Sequence, residues 1–373
     1  MDYIAKMLKK KTEDLSFIQI KNNAQLKDKV YDMVDIPLPI LTNSLIQAVK
    51  GRDDQEIDLS KVIDGIIYLL GIGDADFPYI DKYKILIRKI SPEIEEVILF
   101  KAMDSFKEGD IESNLISIRA LLSLNPDHVK ALFQYAIVLE TIGKSLLEKE
   151  DIDGGEEVLR LSTLNFERIL DIDKEYSLAY YKLGYHYRYL SQYIKTDLIW
   201  GKFLKFSSDE LLKEEIREEL DVIKDEVNFE TAISYISYSD YKKALDFILK
   251  LLPNHEESWN VNYLIGKCYN GLGQTESAIE YFNAAIKYNV EESDLYNDLG
   301  VLYYNIGEIY NAITTFTEGL KYNQEDYKLI FNRSLMYSVL EEYEKALEDA
   351  KRAYELNPDN SIAEQIKWLE EQI

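Results

Sequence analysis

The amino-acid sequence predicts an all-α repeat protein in which paired helices stack into an α-solenoid. One observation is a period of 34 residues in the last third of the chain. Small residues, aromatic residues and alanines recur at this interval, at Gly266, Gly300 and Ser334, at Tyr269, Tyr303 and Tyr337, and at Ala278, Ala312 and Ala346. The second is composition, because only 7 Pro and 16 Gly in 373 residues suit long helices. Such a period is typical of stacked helix pairs and not of a globular enzyme core.

Residues 1–94 do not follow the period. Helical patterns occur at 39–50, 59–70 and 79–90, and Gly71 ends the second of them. We therefore expect an N-terminal helical domain that caps the array and whose role the sequence does not define.

Residues 95–360 are predicted to form seven repeat units, each with a first helix A and a second helix B. Their boundaries are 95–128, 129–176, 177–224, 225–258, 259–292, 293–326 and 327–360. Two units have 48 residues, 14 more than the period, and 14 residues are close to four helical turns. An insertion of that length extends helices without turning their inward faces, and we place the two insertions at 144–155 and 211–224. Residues 361–373 are predicted to form an amphipathic helix that caps the open end.

The clearest units resemble the tetratricopeptide repeat (TPR) family. That family places a small residue, an aromatic, an alanine, a second aromatic and a second alanine in this order, and its units finish near a proline. The unit at 259–292 has Gly266, Tyr269, Ala278, Phe282 and Ala285 in these places, and the unit at 293–326 repeats them as Gly300, Tyr303, Ala312, Phe316 and Gly319. The small residues let helices A and B approach closely, while the bulky residues fill the space to the next unit.

The charge of the chain is strongly negative and unevenly distributed. The formal net charge is −25, and residues 1–94 contribute almost nothing, with 14 Lys and Arg against 15 Asp and Glu. The acidity therefore belongs to the repeat array. It argues against nucleic acid as a partner, because phosphate is repelled. Two interpretations remain for the acidic surface: a solvated exterior that keeps the protein soluble, and selection of basic partners.

Cysteine content and hydropathy indicate a cytoplasmic protein. The one cysteine, Cys268, excludes an internal disulfide and is expected to be a small buried thiol in a helix. No segment approaches 18 uninterrupted apolar residues, so we expect no membrane association.

The sequence offers little for catalysis. Histidine chemistry would have to come from His128, His186 or His255, and none belongs to a local Ser/His/Asp or Cys/His motif. Three scattered histidines with one cysteine do not suit a structural zinc site. We expect no enzymatic activity, no metal and no cofactor.

Resemblance to the TPR family implies that the A helices line a concave groove. By helical register, the C-terminal groove is predicted to present Tyr263, Lys267, Asn270, Asn297, Tyr304 and Asn332, together with Val301, Asn305 and Leu335. An asparagine amide both donates and accepts, so it suits the backbone of an extended peptide. The alternative is that these are ordinary polar residues facing water. Asp294 and Asp298 depart from the cationic clamp with which chaperone-binding relatives hold a terminal carboxylate.

A second candidate site lies in the unit that begins at residue 177. Residues 177–206 carry five Lys and Arg against one Asp, and they are rich in tyrosine. Tyrosine and arginine are enriched in binding hot spots. Helical position predicts that Tyr181, Tyr185, Arg188 and Tyr189 face the groove. The alternative is a tyrosine-rich core edged by solvated lysines.

The predicted function is a non-catalytic scaffold that binds a peptide segment or a partner helix in its groove, with a partner that is extended or basic. One alternative is a peptide-sensing regulator whose N-terminal helical domain is controlled by a ligand in the groove. A third is an enzyme with its site in residues 1–94. The sequence indicates no particular oligomeric state.

Overall fold

Helices dominate the computed structural model of this protein, which describes residues 3–19, 36–50, 59–73 and 77–373. Parts of the predicted N-terminal domain therefore lie outside the described residues. The chain divides into two compact units, one ending at Ile216 and the other beginning at Arg217.

The N-terminal part of the first unit is mostly helical, as the sequence predicts. Its elements are α1 (Tyr3–Leu8), a 3-10 turn (Lys9–Asp14), β1 (Leu15–Ile18), β2 (Leu38–Leu41), α2 (Thr42–Lys50), α3 (Leu59–Ile72) and α4 (Ile80–Ile90). The three helical patterns expected at 39–50, 59–70 and 79–90 correspond to α2, α3 and α4. The two strands are an addition that the sequence analysis did not predict.

Strands β1 and β2 form an antiparallel pair in which Leu15 lies opposite Leu41 and Ile18 opposite Leu38. Leu38 is fully buried, because the sheet packs on helix α3. Gly65 of α3 permits this approach, since a Cβ built there would lie 2.1 Å from the carbonyl oxygen of Pro39. A short apolar strand can form here because it lies against an existing helix.

The rest of the first unit consists of long antiparallel helix pairs and one additional helix. The pairs are α5 (Ile94–Lys107) with α6 (Ile111–Leu124), α7 (Val129–Glu148) with α8 (Ile152–Ile172), and α9 (Ser177–Tyr189) with α10 (Tyr193–Phe206). Helix α11 (Glu210–Val222) follows and extends past the end of the unit. Buried side chains from α1 and α3 share one hydrophobic core with those of α5 to α8.

The second unit continues with four more pairs. They are α12 (Lys224–Ser237) with α13 (Tyr241–Ile248), α15 (Trp259–Gly271) with α16 (Thr275–Tyr288), α17 (Ser293–Asn305) with α18 (Ile309–Tyr322), and α19 (Tyr327–Val339) with α20 (Tyr343–Leu356). The short helix α14 (Leu252–His255) follows α13, and α21 (Asn360–Glu370) ends the chain. Helix α21 packs on α20 through Leu369, in the place predicted for the C-terminal capping helix.

The same turn closes all seven helix pairs of the described chain. Each turn contains one residue with a left-handed backbone, and these residues are Gly109, Glu150, Ser191, Ser239, Gly273, Gly307 and Glu341. A single left-handed residue reverses the chain direction after a helix. The recurrence confirms the prediction of about seven helix pairs in an all-α repeat fold.

The two predicted insertions have different structures. The first lengthens both helices of its pair, so that α7 has 20 residues and α8 has 21, against 14 in α5 and in α6. The second adds the separate helix α11 between two pairs. A helical insertion of 14 residues can be absorbed in either way, since sequence length does not fix where a helix ends.

Close contact between the helices of a pair depends on the predicted small residues. Cβ atoms built at Gly266 and Gly300 would lie 2.7 Å and 2.3 Å from the rings of Phe282 and Phe316. Ser334 takes the equivalent place in the last pair, where its hydroxyl donates a hydrogen bond of 2.7 Å to the carbonyl oxygen of Ala346. The hydroxyl is buried and satisfied, so serine is tolerated there.

Helix α15 contains the cysteine of this chain. Cys268 is fully buried, as the sequence analysis expected, and burial raises the pKa of its thiol to about 11. A thiol with so high a pKa is almost entirely protonated at neutral pH.

Within the ranges that the structure describes, no helix combines the length and the apolar character that crossing a bilayer requires. In those same ranges, no group of three or more His, Cys, Asp and Glu side chains has an arrangement that could hold a metal ion.

Candidate peptide-binding groove

Helices α15, α17 and α19 are the first helices of three successive pairs, and polar side chains connect them. The hydroxyl of Tyr263 donates a hydrogen bond of 2.8 Å to Oδ2 of Asp298. Lys267 donates to the same hydroxyl at 3.3 Å, and its Nζ lies 3.5 Å from Oδ2 of Asp298. Burial and the neighbouring Asp298 carboxylate raise the pKa of Tyr263, so its hydroxyl stays protonated. Two predicted groove residues, Tyr263 and Lys267, thus meet at one carboxylate.

The connection continues through asparagine side chains. The amide nitrogen of Asn297 lies 3.4 Å from Oδ1 of Asp298, and that of Asn332 donates to the side-chain oxygen of Asn297 at 2.7 Å. A primary amide has two N–H donors and one oxygen acceptor. The described contacts of the Asn332 side chain use one of those donors, which leaves a donor and an acceptor for a ligand.

A cavity of about 630 Å³ adjoins these amides, between α17, α19 and α21. Its lining includes the apolar side chains of Val301, Leu335 and Trp368. Tyr304 and Asn332, both predicted as groove residues, lie in the same wall. The arrangement combines an apolar recess with an amide at its edge, which is the usual composition of a site that orients one side chain of a ligand.

The hydrogen bonds and the cavity involve some of the predicted groove residues and not others. Asn270 lies exposed at the C-terminal end of α15, and none of the hydrogen bonds described above reaches it. Conversely, Gln365 and Trp368 of α21 line the cavity, and register within the repeats could not have identified them. Trp368 is 43% exposed, and an exposed tryptophan on a capping helix is a signal that sequence reasoning could have used.

The cations of this groove are already paired. Lys267 faces Asp298, and Nζ of Lys328 lies 3.7 Å from Oδ1 of Asp294. Arg333 instead forms a bidentate ion pair with the largely buried Asp349, at 2.7 Å and 2.9 Å. The groove consequently has no excess of positive charge, which agrees with the departure from the cationic clamp noted in the sequence.

The second set of predicted residues lies on α9, where helix α11 approaches it. The hydroxyls of Tyr181 and Tyr185 both donate to Oε1 of Glu215, the former at 2.8 Å. The ring of Tyr185 also packs edge-on against Trp200, with centroids 5.0 Å apart. Burial and the hydrogen bond to Glu215 raise the pKa of Tyr185. Two of the predicted groove hydroxyls are thus hydrogen-bonded to a carboxylate of the protein itself.

The remaining members of that set, Arg188 and Tyr189, lie near the C-terminal end of α9. Tyr189 is 64% exposed. Together with Tyr185 it lines another cavity, which lies in the first unit. Arg188 is half-buried. The four predicted residues thus lie on one helix, and the hydroxyls of two of them are hydrogen-bonded to Glu215 of α11.

Comparison with known proteins identifies the repeats. The model of the tetratricopeptide repeat family matches residues 260–289, 293–326 and 327–360. Residues 260–360, which form α15 to α20, therefore match three tetratricopeptide repeats. No curated protein matches the sequence.

Solved structures with some similarity also contain these repeats. A tetratricopeptide repeat protein from Parabacteroides merdae is 17% identical, with 74% of this chain and 98% of that chain covered and a TM-score of 0.36. The Arabidopsis OM64 TPR domain is 20% identical over 31% of this chain and 98% of its own, with a TM-score of 0.30. The P58(IPK) TPR domain is 16% identical over 74% and 98%, with a TM-score of 0.32.

Proposed function

We propose that this protein is a non-catalytic scaffold that binds an extended peptide in the groove formed by α15, α17, α19 and α21. The observation that carries the proposal is the apolar recess of about 630 Å³ beside the linked amides of Asn297 and Asn332. An extended peptide needs donors and acceptors for its backbone and a pocket for a side chain. Asn332 supplies a donor and an acceptor for the peptide backbone. Val301, Leu335 and Trp368 form the pocket for the side chain.

The charges of the groove support a particular kind of peptide. Because Lys267 and Lys328 are each paired with an aspartate, an acidic peptide would gain no unpaired cation and would meet the acidic surface of the chain. We infer that the bound segment is neutral at its centre, with an apolar side chain in the recess. Basic flanking residues would increase the association rate at low ionic strength, since the net charge of the protein is −25.

The test begins with selection of peptides from a random twelve-residue phage library on the full chain. Binding of a selected peptide is then measured by fluorescence anisotropy. We expect Asn332→Ala to weaken binding about fivefold, which is the usual value of a neutral hydrogen bond. Trp368→Ala should weaken it by about thirtyfold, because a large aromatic side chain at a recess is a typical hot spot.

The matched control is Tyr310→Ala, which removes an exposed aromatic residue from α18, a second helix of a pair. Its affinity should equal that of the wild type, and circular dichroism checks that each variant is folded. Full affinity in both Asn332→Ala and Trp368→Ala would refute the C-terminal groove. If Tyr185→Ala and Arg188→Ala weaken binding instead, the peptide binds at α9, the second candidate site that the sequence predicts.

A further inference from the structure

The first unit contains a cavity that the peptide proposal does not use. It has a volume of about 540 Å³ and lies between α7, α8 and α9. Its walls are largely apolar and include Leu147, Leu159, Tyr185, Tyr189 and Leu190. Two aromatic rings and three leucines favour a flat, apolar ligand.

The polar part of this cavity centres on Glu140. Oε1 of its carboxylate accepts a hydrogen bond from Lys144 at 2.5 Å, and Oε2 accepts one from Lys182 at 3.0 Å. Burial raises the pKa of Glu140, but His186, Lys144 and Lys182 outweigh burial and hold the pKa well below its usual range. The group is therefore a carboxylate at neutral pH, and Oε2 retains a second lone pair.

His186 faces that carboxylate from α9. Its side chain is 9% exposed, and its ring packs edge-on against Phe166. Nδ1 lies 2.8 Å from the hydroxyl oxygen of Thr163, whereas Nε2 lies 3.8 Å from Oε2 of Glu140, which is too far for a hydrogen bond. Nε2 is thus a buried nitrogen without a hydrogen-bond partner among the described residues.

The position of the carboxylate determines which ring nitrogen carries a proton. A neutral histidine protonated at Nδ1 would point the lone pair of Nε2 at the negative charge of Glu140. Protonation at Nε2 avoids this repulsion. The single hydroxyl proton of Thr163, which lies within reach of both the carbonyl oxygen of Leu159 at 3.0 Å and Nδ1 at 2.8 Å, can then be donated to Nδ1. An N–H donor thus lies next to a carboxylate acceptor. The donor has no partner among the described residues, whereas the carboxylate accepts one hydrogen bond from each of two lysines.

We propose that this cavity binds a phenol whose hydroxyl group bridges His186 and Glu140 while its ring lies among the tyrosines and leucines. A hydroxyl oxygen can lie about 2.8 Å from both atoms, because they are 3.8 Å apart. It accepts from Nε2–H of His186 and donates to Oε2 of Glu140. A carboxylate in this place would be repelled by Glu140, and an ammonium group would face Lys144, Lys182 and an N–H donor.

This site lies in the first unit and shares no residue with the C-terminal groove. The inference is therefore independent of the proposed peptide function, and either can fail without the other.

The test compares para-cresol with para-fluorotoluene by isothermal titration calorimetry on the full-length wild-type protein. The two molecules have nearly the same shape, but only the phenol can donate and accept a hydrogen bond. We expect para-cresol to bind at least about tenfold more tightly, because the buried Nε2–H of His186 would otherwise stay unpaired. Equal affinity for the two molecules, or no measurable binding of para-cresol, would overturn the inference.

Two variants test whether His186 is responsible for the preference for para-cresol. His186→Phe keeps an aromatic ring against Phe166 but removes the N–H donor, so it should lower the affinity for para-cresol to that for para-fluorotoluene. His255→Phe makes the same change at an exposed histidine of the second unit and should leave both affinities unchanged. An undiminished affinity of His186→Phe for para-cresol would contradict the proposed bridge. The wild-type comparison stands even where a variant does not fold.

Two sources could supply the phenol, a small free molecule or a tyrosine side chain of a peptide. An acetylated Gly-Tyr-Gly amide and its Gly-Phe-Gly counterpart distinguish them. Binding of the tyrosine peptide that depends on His186 supports a peptide source. Binding of para-cresol without binding of the tyrosine peptide supports a free phenol.

Discussion

At the scale of the residue, the tolerance of this fold to substitution is set by how closely paired helices approach. Gly184 of α9 lies directly against the indole of Trp200, and a Cβ built there would be 1.9 Å from its Nε1 atom. Trp200 is fully buried and donates a hydrogen bond to the carbonyl oxygen of Tyr181 at 3.2 Å. The indole therefore cannot move aside without breaking contacts in the core.

Gly184→Ala should consequently destabilise the protein by about 1–3 kcal/mol, the usual cost of overpacking a core. Gly201, on the facing helix α10, is the matched control, because a Cβ built there meets no atom within 4 Å. Gly201→Ala should stabilise by about 0.5–1 kcal/mol, since alanine favours a helix interior over glycine. Urea denaturation of both variants measures the difference, and equal changes would show that the close approach to Trp200 has no energetic consequence.

The positions of such close contacts could be predicted from the sequence, but the partners of polar residues could not. Gly266 and Gly300 recur at the repeat interval, so the approach of their helices follows from the period. Glu140 of α7 and His186 of α9 belong to no motif, and their proximity depends on how two successive helix pairs pack together. The contact of Glu215 with Tyr181 and Tyr185 likewise depends on where an inserted helix lies.

At the scale of the element, helix α11 shows the limit of periodicity. The insertion at 211–224 was predicted to lengthen helices, yet it forms its own helix beside α9. Its Ile216 is fully buried, and Glu215 accepts hydrogen bonds from two tyrosines. Hydrogen bonds to a charged group are stronger than those between neutral groups, so Glu215 is expected to hold the start of α11 in place.

Glu215→Ala should therefore increase amide exchange in residues 210–216 by roughly tenfold, because two hydrogen bonds to a carboxylate are lost. Hydrogen–deuterium exchange with mass spectrometry measures this directly. Glu218→Ala is the control, since Glu218 is an exposed acid of the same helix and its loss should leave exchange unchanged. Equal exchange in both variants would mean that the tyrosine contacts do not stabilise α11.

The small sheet is the other element that sequence reasoning missed. Its second strand, Leu38–Leu41, contains a proline and only four residues, which is too short for alternation to be recognised. Its partner, Leu15–Ile18, lies far away in the sequence. The pairing depends on contacts with α3, and a pattern along the chain does not record such long-range contacts.

At the scale of the whole molecule, the division into two compact units leads us to expect that local stability varies along the chain. In repeat proteins each pair is stabilised mainly by its neighbours, so local damage spreads over a short distance. The predicted array of seven pairs agrees with the described turns, whereas the boundaries of the predicted domains remain predictions. Groove residues were predicted on α17 and α19 by register, and some of them line the C-terminal cavity. The lining residues of α21 lie outside the repeats and needed the structure.

Gly300→Val tests this variation, because a Cβ at Gly300 would lie 2.3 Å from the ring of Phe316. We expect amide exchange to increase by about tenfold or more in α17 to α20 and to stay unchanged in α5 to α10. Tyr310→Ala, at an exposed site of α18, should alter neither region. A uniform increase throughout the chain of the Gly300→Val variant would show that the whole protein opens as one cooperative body.

The buried thiol of Cys268 has a practical consequence. Because the chain has no other cysteine and this one is shielded and protonated, the native protein offers thiol-specific reagents no reactive thiol. A cysteine introduced on the surface would then carry a fluorophore or spin label alone, with the natural residue left in place. The wild-type sequence is thus a ready background for distance measurements by spectroscopy.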